Sequence, residues 1–276
     1  ASVKLSNDTL NISVKRADYV DANGNLQKDV GTNLGVDYLL GWDNANYELV
    51  QVTSGGTIRP MNSAVLEGTV STTGDITPRT ISLLATKTYD GGTGYNNSTV
   101  TAKSVTYPGQ SGLMGNDTLG ESFDTVNAVY VDPNGVYLGE AYTGEGGTQI
   151  PYHMDFKDFY FTNANYQVKD VSTGAIVAAQ PGATAGTATL QDVAGEGAIR
   201  RATLQVKADP VSLTAPAALR SYYTGKVTGF KNNETYRVAT AANPPTNGDF
   251  YFKLDPSANP STTTSGTYDI YSYYLN

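Results

Sequence analysis

The chain has no cysteine and a single histidine, His153, among its 276 residues. Those absences exclude disulfides, thiol nucleophiles and any zinc site of the usual Cys/His kind. A Ser-His-Asp triad would have to use His153, and no Gly-x-Ser-x-Gly elbow is present. Within Pro151-Tyr152-His153-Met154-Asp155 the histidine reads as a strand-end residue, so we expect no enzyme here.

Charge is also scarce, at 16% of residues against about 25% in ordinary soluble domains. The 18 Lys and Arg are outnumbered by 26 Asp and Glu, giving a net charge of -8 with no basic cluster. Phosphate binding needs clustered cations, so nucleic acid is not an expected partner. No apolar run approaches the roughly 18 residues of a membrane-spanning helix. Sustained apolar spacing of 3.6 residues is missing as well.

What the chain does hold is 29 Gly and 20 Tyr, with polarity supplied by Thr, Ser and Asn. Apolar residues alternate with polar ones in short runs. Leu10, Ile12 and Val14 oppose Asn11, Ser13 and Lys15; Ala202, Leu204 and Val206 oppose Thr203, Gln205 and Lys207. Phe250, Phe252 and Leu254 oppose Tyr251 and Lys253. Period-2 runs punctuated by Gly, Asn, Pro and Asp predict an all-β chain.

An internal repeat organises it. Tyr19-Val20-Asp21-Ala22-Asn23-Gly24 returns as Tyr130-Val131-Asp132-Pro133-Asn134-Gly135. Asn44-Ala45-Asn46-Tyr47 returns as Asn163-Ala164-Asn165-Tyr166, and Arg79-Thr80-Ile81-Ser82-Leu83 as Arg200-Arg201-Ala202-Thr203-Leu204. Collinear matches of this kind predict tandem immunoglobulin-like β-sandwiches at 15–107 and 122–215. A linker at 108–121 would separate them, with an N-terminal strand at 1–14 and C-terminal strands at 216–276 completing a sheet.

The Asp-x-Asn-Gly turns have two readings. Asp, Asn and Gly are hairpin residues, and carboxylate and amide oxygens also suit calcium; on the second reading the ligands are Asp21, Asn23, Asp29, Asp132 and Asn134. Trp42 is either a core residue or a sugar-stacking platform. Sequons at Asn7, Asn11, Asn96, Asn97, Asn116 and Asn233 permit glycosylation of a secreted chain. The opening Ala1-Ser2-Val3, without a start methionine, has the look of a chain after signal removal.

The phrase Tyr166-Gln167-Val168-Lys169-Asp170-Val171-Ser172-Thr173-Gly174, with the repeat and the Gly/Thr/Asn/Tyr texture, resembles the Ig-like repeats of prokaryotic surface-layer and extracellular filament subunits. That resemblance implies a chain at the cell surface whose partners are copies of itself, joined by β-strand addition into a filament or lattice. Val3, Leu5, Leu10, Ile12 and Val14, ahead of the first repeat, are the expected donor-strand residues. A carbohydrate-binding module or adhesin that takes up glycans is the alternative.

Overall fold

A computed structural model describes residues 9–52, 58–61, 66–132, 152–213, 222–240, 242–247, 249–254, 266–268 and 270–274. The chain is all-β. Its strands are β1 (Ile12–Val20), β2 (Gly31–Trp42), β3 (Val50–Val52), β4 (Ile58–Pro60), β5 (Glu67–Ile76), β6 (Arg79–Thr88), β7 (Thr99–Ser104), β8 (Glu121–Val131) and β9 (Tyr152–Phe161). There follow β10 (Tyr166–Lys169), β11 (Ile176–Ala178), β12 (Gln191–Arg200), β13 (Gln205–Ala208), β14 (Val211–Leu213), β15 (Gly225–Thr228), β16 (Phe250–Leu254), β17 (Gly266–Tyr268) and β18 (Ile270–Tyr274).

The first sheet is an antiparallel meander in the order β1-β2-β5. The second has seven strands, β11-β10-β6-β12-β9-β8 with β7 also on β6. Strand β6 is its spine. One edge pairs antiparallel with β7; the other pairs parallel with β10 through Arg79 to Ile81, then with β12 through Leu84 to Thr88. A strand flanked on both edges must be apolar enough to be covered on its faces, and Ile81, Leu83, Ala85 and even Ser82 are buried.

The main core lies on this sheet. Met154, Phe156, Phe159 and Phe161 of β9 meet Ile81 and Leu83 of β6, Ala128 and Tyr130 of β8, Val168 of β10, and Val193 and Ile199 of β12. Phe123 stands edge-on to both Tyr95 and Phe156, with ring centroids 5.0 and 4.9 Å apart. Such pairs contribute about 0.5–1.5 kcal/mol beyond the area they bury.

The sheets therefore do not divide as the repeat does. Two self-contained sandwiches at 15–107 and 122–215 would keep β6 and β7 with β1, β2 and β5. Instead β6 and β7 belong to the sheet of the second repeat. Nor are residues 108–121 a detached linker, because Leu119 is in the core, Gly112 bonds back to the Ala102 carbonyl, and Asp117 accepts from the Tyr166 hydroxyl at 2.6 Å. The 15–107 boundary also cuts through β1, and β15 pairs with β13 across residue 216.

Candidate functional site

The two halves repeat one strand order, and comparing them exposes a difference. Hairpin β1-β2 corresponds to β8-β9, β3-β4 to β10-β11, β5 to β12, and hairpin β6-β7 to β13-β15. Tyr19 faces Val36 as Tyr130 faces Met154. Gly74 and Gly197 sit beneath those tyrosines, each leaving room for a ring where a Cβ would crowd it. Asn44 and Asn163 make matching turns, donating from Nδ2 to the carbonyls of Thr9 and Thr118 at 2.9 and 2.7 Å. Those threonines belong to a further sequence echo, Asn7-Asp8-Thr9-Leu10 and Asn116-Asp117-Thr118-Leu119, which pattern reading had missed although it lies in the bare sequence.

In the second half both edges of β8-β9-β12 are covered. Strand β6 runs beside β12, and the loop after β6 runs beside β8, through Tyr130 N to the Thr93 carbonyl at 2.8 Å and Tyr95 N to the Ala128 carbonyl at 3.0 Å. Lys87 fixes that loop. Its ammonium is buried and donates to Asp90 at 2.8 Å and to the Gly92 and Gly94 carbonyls at 2.6 and 3.0 Å.

In the first half neither outer edge of β1-β2-β5 carries a strand among the described residues. Val36 and Trp42 are buried, but five other matching inner positions are only half-buried: Tyr19, Tyr38, Leu40, Val70 and Ile76, where the second half has Tyr130, Phe156, Phe159, Val193 and Ile199 fully buried. Val50 and Val52 of β3 are exposed as well. This open sheet is the candidate site. Among the described residues its outer edges carry only local contacts, Gln27 N to the Tyr19 carbonyl at 2.8 Å and Gln51 Nε2 to the Ser71 carbonyl at 3.4 Å, and its chemistry is that of strand edges and partly uncovered apolar side chains.

The expected donor residues sit within it in part. Ile12 pairs with Trp42 and Val14 with Leu40, so this end of β1 closes on its own sheet, leaving both side chains more than half exposed. Leu10 is half-buried just ahead of β1, whereas Val3 and Leu5 lie outside the described residues.

The expected calcium ligands are dispersed. Asp21 Oδ1 accepts from the backbone N of Asn23 at 2.8 Å and of Asn25 at 2.9 Å, and Oδ2 accepts from the Asn25 side chain at 3.1 Å. The Asn25 bonds hold its carboxyl below the usual aspartate value, and Gly24 takes φ +80° in the same turn. Asn23 is exposed, and Asp29 instead accepts from Asn165 Nδ2 at 2.7 Å, across to the second half. Asp132 lines a cavity of about 370 Å³ with His153, Asp155, Asp170 and Asp192, while Asn134 lies outside the described residues. Two of these carboxylates, Asp155 and Asp192, are bridged by Lys157 at 2.7 Å each, which raises the lysine's pKa. Burial disfavours the Asp170 carboxylate, but hydrogen bonds from Ala194, Thr173 and Ser172 outweigh it and lower the pKa. Among the described residues no three or more His, Asp or Glu are grouped to hold a metal ion.

Trp42 is 6% exposed and donates Nε1 to the Tyr47 carbonyl at 3.1 Å, so it is a core residue and offers no platform for a sugar. Asn11, Asn96, Asn97, Asn116 and Asn233 are exposed; Asn7 lies outside the described residues. No protein-family model, curated protein or solved structure matches the chain.

Proposed function

We propose that this protein is an extracellular structural subunit that assembles with copies of itself into a filament or surface lattice through β-strand addition. The observation that carries the reading is the open sheet β1-β2-β5, set against its completed counterpart in the same chain. Exposed sheet edges are templates for another strand, and covering a Leu, Ile or Val contributes about 1.5–3 kcal/mol when burial is complete. The scarcity of charge and the Thr, Ser, Asn and Tyr surface accord with a cell-surface role. Negative-stain microscopy of the purified protein across a concentration series is the test. Fibres or sheets support the reading, and isolated particles at every concentration overturn it. The alternative, a glycan-binding module, would have to rest on exposed tyrosines such as Tyr107, because Trp42 is buried.

A further inference from the structure

We infer that the strand which completes the open sheet is the β13-β15 hairpin of a second copy of this chain, running parallel to β5 as β6 runs parallel to β12. This rests on the self-assembly reading above and specifies its contact.

The argument begins with what fills the position inside the chain. The sheet β8-β9-β12 is completed by the hairpin β6-β7, which comes from outside its own strand set. The sheet β1-β2-β5 lacks a completing strand among the described residues. Among the described residues the equivalent hairpin, β13-β15, is a two-stranded sheet that completes no three-stranded sheet like β8-β9-β12. Among those residues strand β13 forms a ladder only with β15, and β18 approaches it without a ladder. Leu204 and Val206, which match the fully buried Leu83 and Ala85, are each 38% exposed. Among the described residues one chain thus holds both an open position and a hairpin of the matching kind with its apolar side chains partly uncovered.

Carrying the observed register across tests the fit. Leu84, Ala85, Thr86 and Lys87 lie beside Glu196, Gly197, Ala198 and Ile199. The same register puts Gln205 beside Thr73, Val206 beside Gly74, Lys207 beside Asp75 and Ala208 beside Ile76. Val206 then falls on a glycine, as Ala85 does. Further along, Tyr166 and Gln167 lie beside Arg79 and Thr80, which carries over to Tyr47 beside Arg200 and Glu48 beside Arg201. Where the intramolecular contact has the uncharged pairs Thr86 with Ala198 and Thr80 with Gln167, the carried-over contact has Lys207 with Asp75 and Arg201 with Glu48. All four charged residues are exposed, and opposite charges at lateral positions favour this partner and this register. The contact uses different surfaces on the two copies, so it propagates head to tail.

Because the chain has no cysteine, single-cysteine variants report the contact directly. Thr73→Cys and Gln205→Cys proteins, mixed and oxidised, are expected to give a covalent heterodimer that neither gives alone. Homodimers of Thr73→Cys alone mean that β5 edges pair with each other, and overturn the proposal. So does a Thr73→Cys, Gln205→Cys double variant that closes only within one chain at every concentration. Lys207→Glu is expected to weaken association on the order of tenfold, with Asp75→Lys in the partner restoring it. Failure of that restoration counts against the register. Fibres without the heterodimer leave assembly standing and overturn this contact, whereas neither fibres nor heterodimer overturns both.

Discussion

Gly195 and Thr72 occupy equivalent places on β12 and β5, and they differ because one sheet is completed and the other is open. A Cβ on Gly195 would meet the Phe156 ring at 2.7 Å and the Leu83 carbonyl oxygen at 2.9 Å, so β6 leaves no room for a side chain. Thr72 is exposed. Gly195→Thr is therefore expected to cost about 1–3 kcal/mol or more by overpacking, and Thr72→Gly no more than about 1 kcal/mol, both read from urea midpoints. Asp249 gives a pH signature. It accepts from Arg237 Nε at 2.9 Å, from Arg237 Nη2, and from Thr246 N and Oγ1 at 2.6 and 2.8 Å. The Arg237 bond and then the Thr246 backbone bond lower its pKa to about 2. A depressed carboxyl stabilises the fold fully above its unfolded value and loses that contribution as pH falls through the folded one. The difference in urea midpoint between wild type and Asp249→Asn should hold steady from neutral pH to about 5 and vanish towards about 2.

At the scale of elements, β6 and β13 are the same strand in two settings. Leu83→Ala removes a side chain that is 1% exposed and is expected to cost about 2–5 kcal/mol, unfolding the second half although it lies in the first repeat. Leu204→Ala, at 38% exposure, should cost under about 1 kcal/mol in the isolated chain and show its effect in association, measured by sedimentation. Strand β13 was legible in the sequence as an alternating apolar run and β6 through its place in the repeat, whose Asn44 and Asn163 turns coincide in their hydrogen bonds. Which neighbour each strand would choose was not legible. Alternation records which side chains point to a core, and it reads the same whether that core belongs to the strand's own repeat or to the next. That is why the sandwich boundaries fell between β7 and β8, where the sequence repeat breaks, and not between β5 and β6, where the sheets do. The calcium reading was open for a related reason, since an Asp-x-Asn-Gly turn uses its carboxylate on its own amides, as Asp21 does.

At the scale of the whole molecule, the proposed contact joins the open sheet of one copy to the β13-β15 hairpin of the next, so the two ends of a growing assembly would be chemically unlike. An Arg201→Glu, Lys207→Glu chain keeps the open sheet and spoils the hairpin, so it should cap growth at one end. Mixed in small amounts with wild type, it is expected to shorten fibres in proportion to its share, as counted in micrographs. The parallel pairing of β6 with β12 carries a mechanical meaning too. Tension applied to the two ends of the chain pulls β6 from its Arg79 end and β12 from its Arg200 end, in opposite directions along two strands that lie side by side. The hydrogen bonds between them, from Leu84 with Glu196 to Thr88 with Arg200, are then loaded together in shear, not one after another as in an unzipping hairpin. A thread of such subunits would resist stretching at every joint by the same arrangement, whether the two strands belong to one chain or to neighbours.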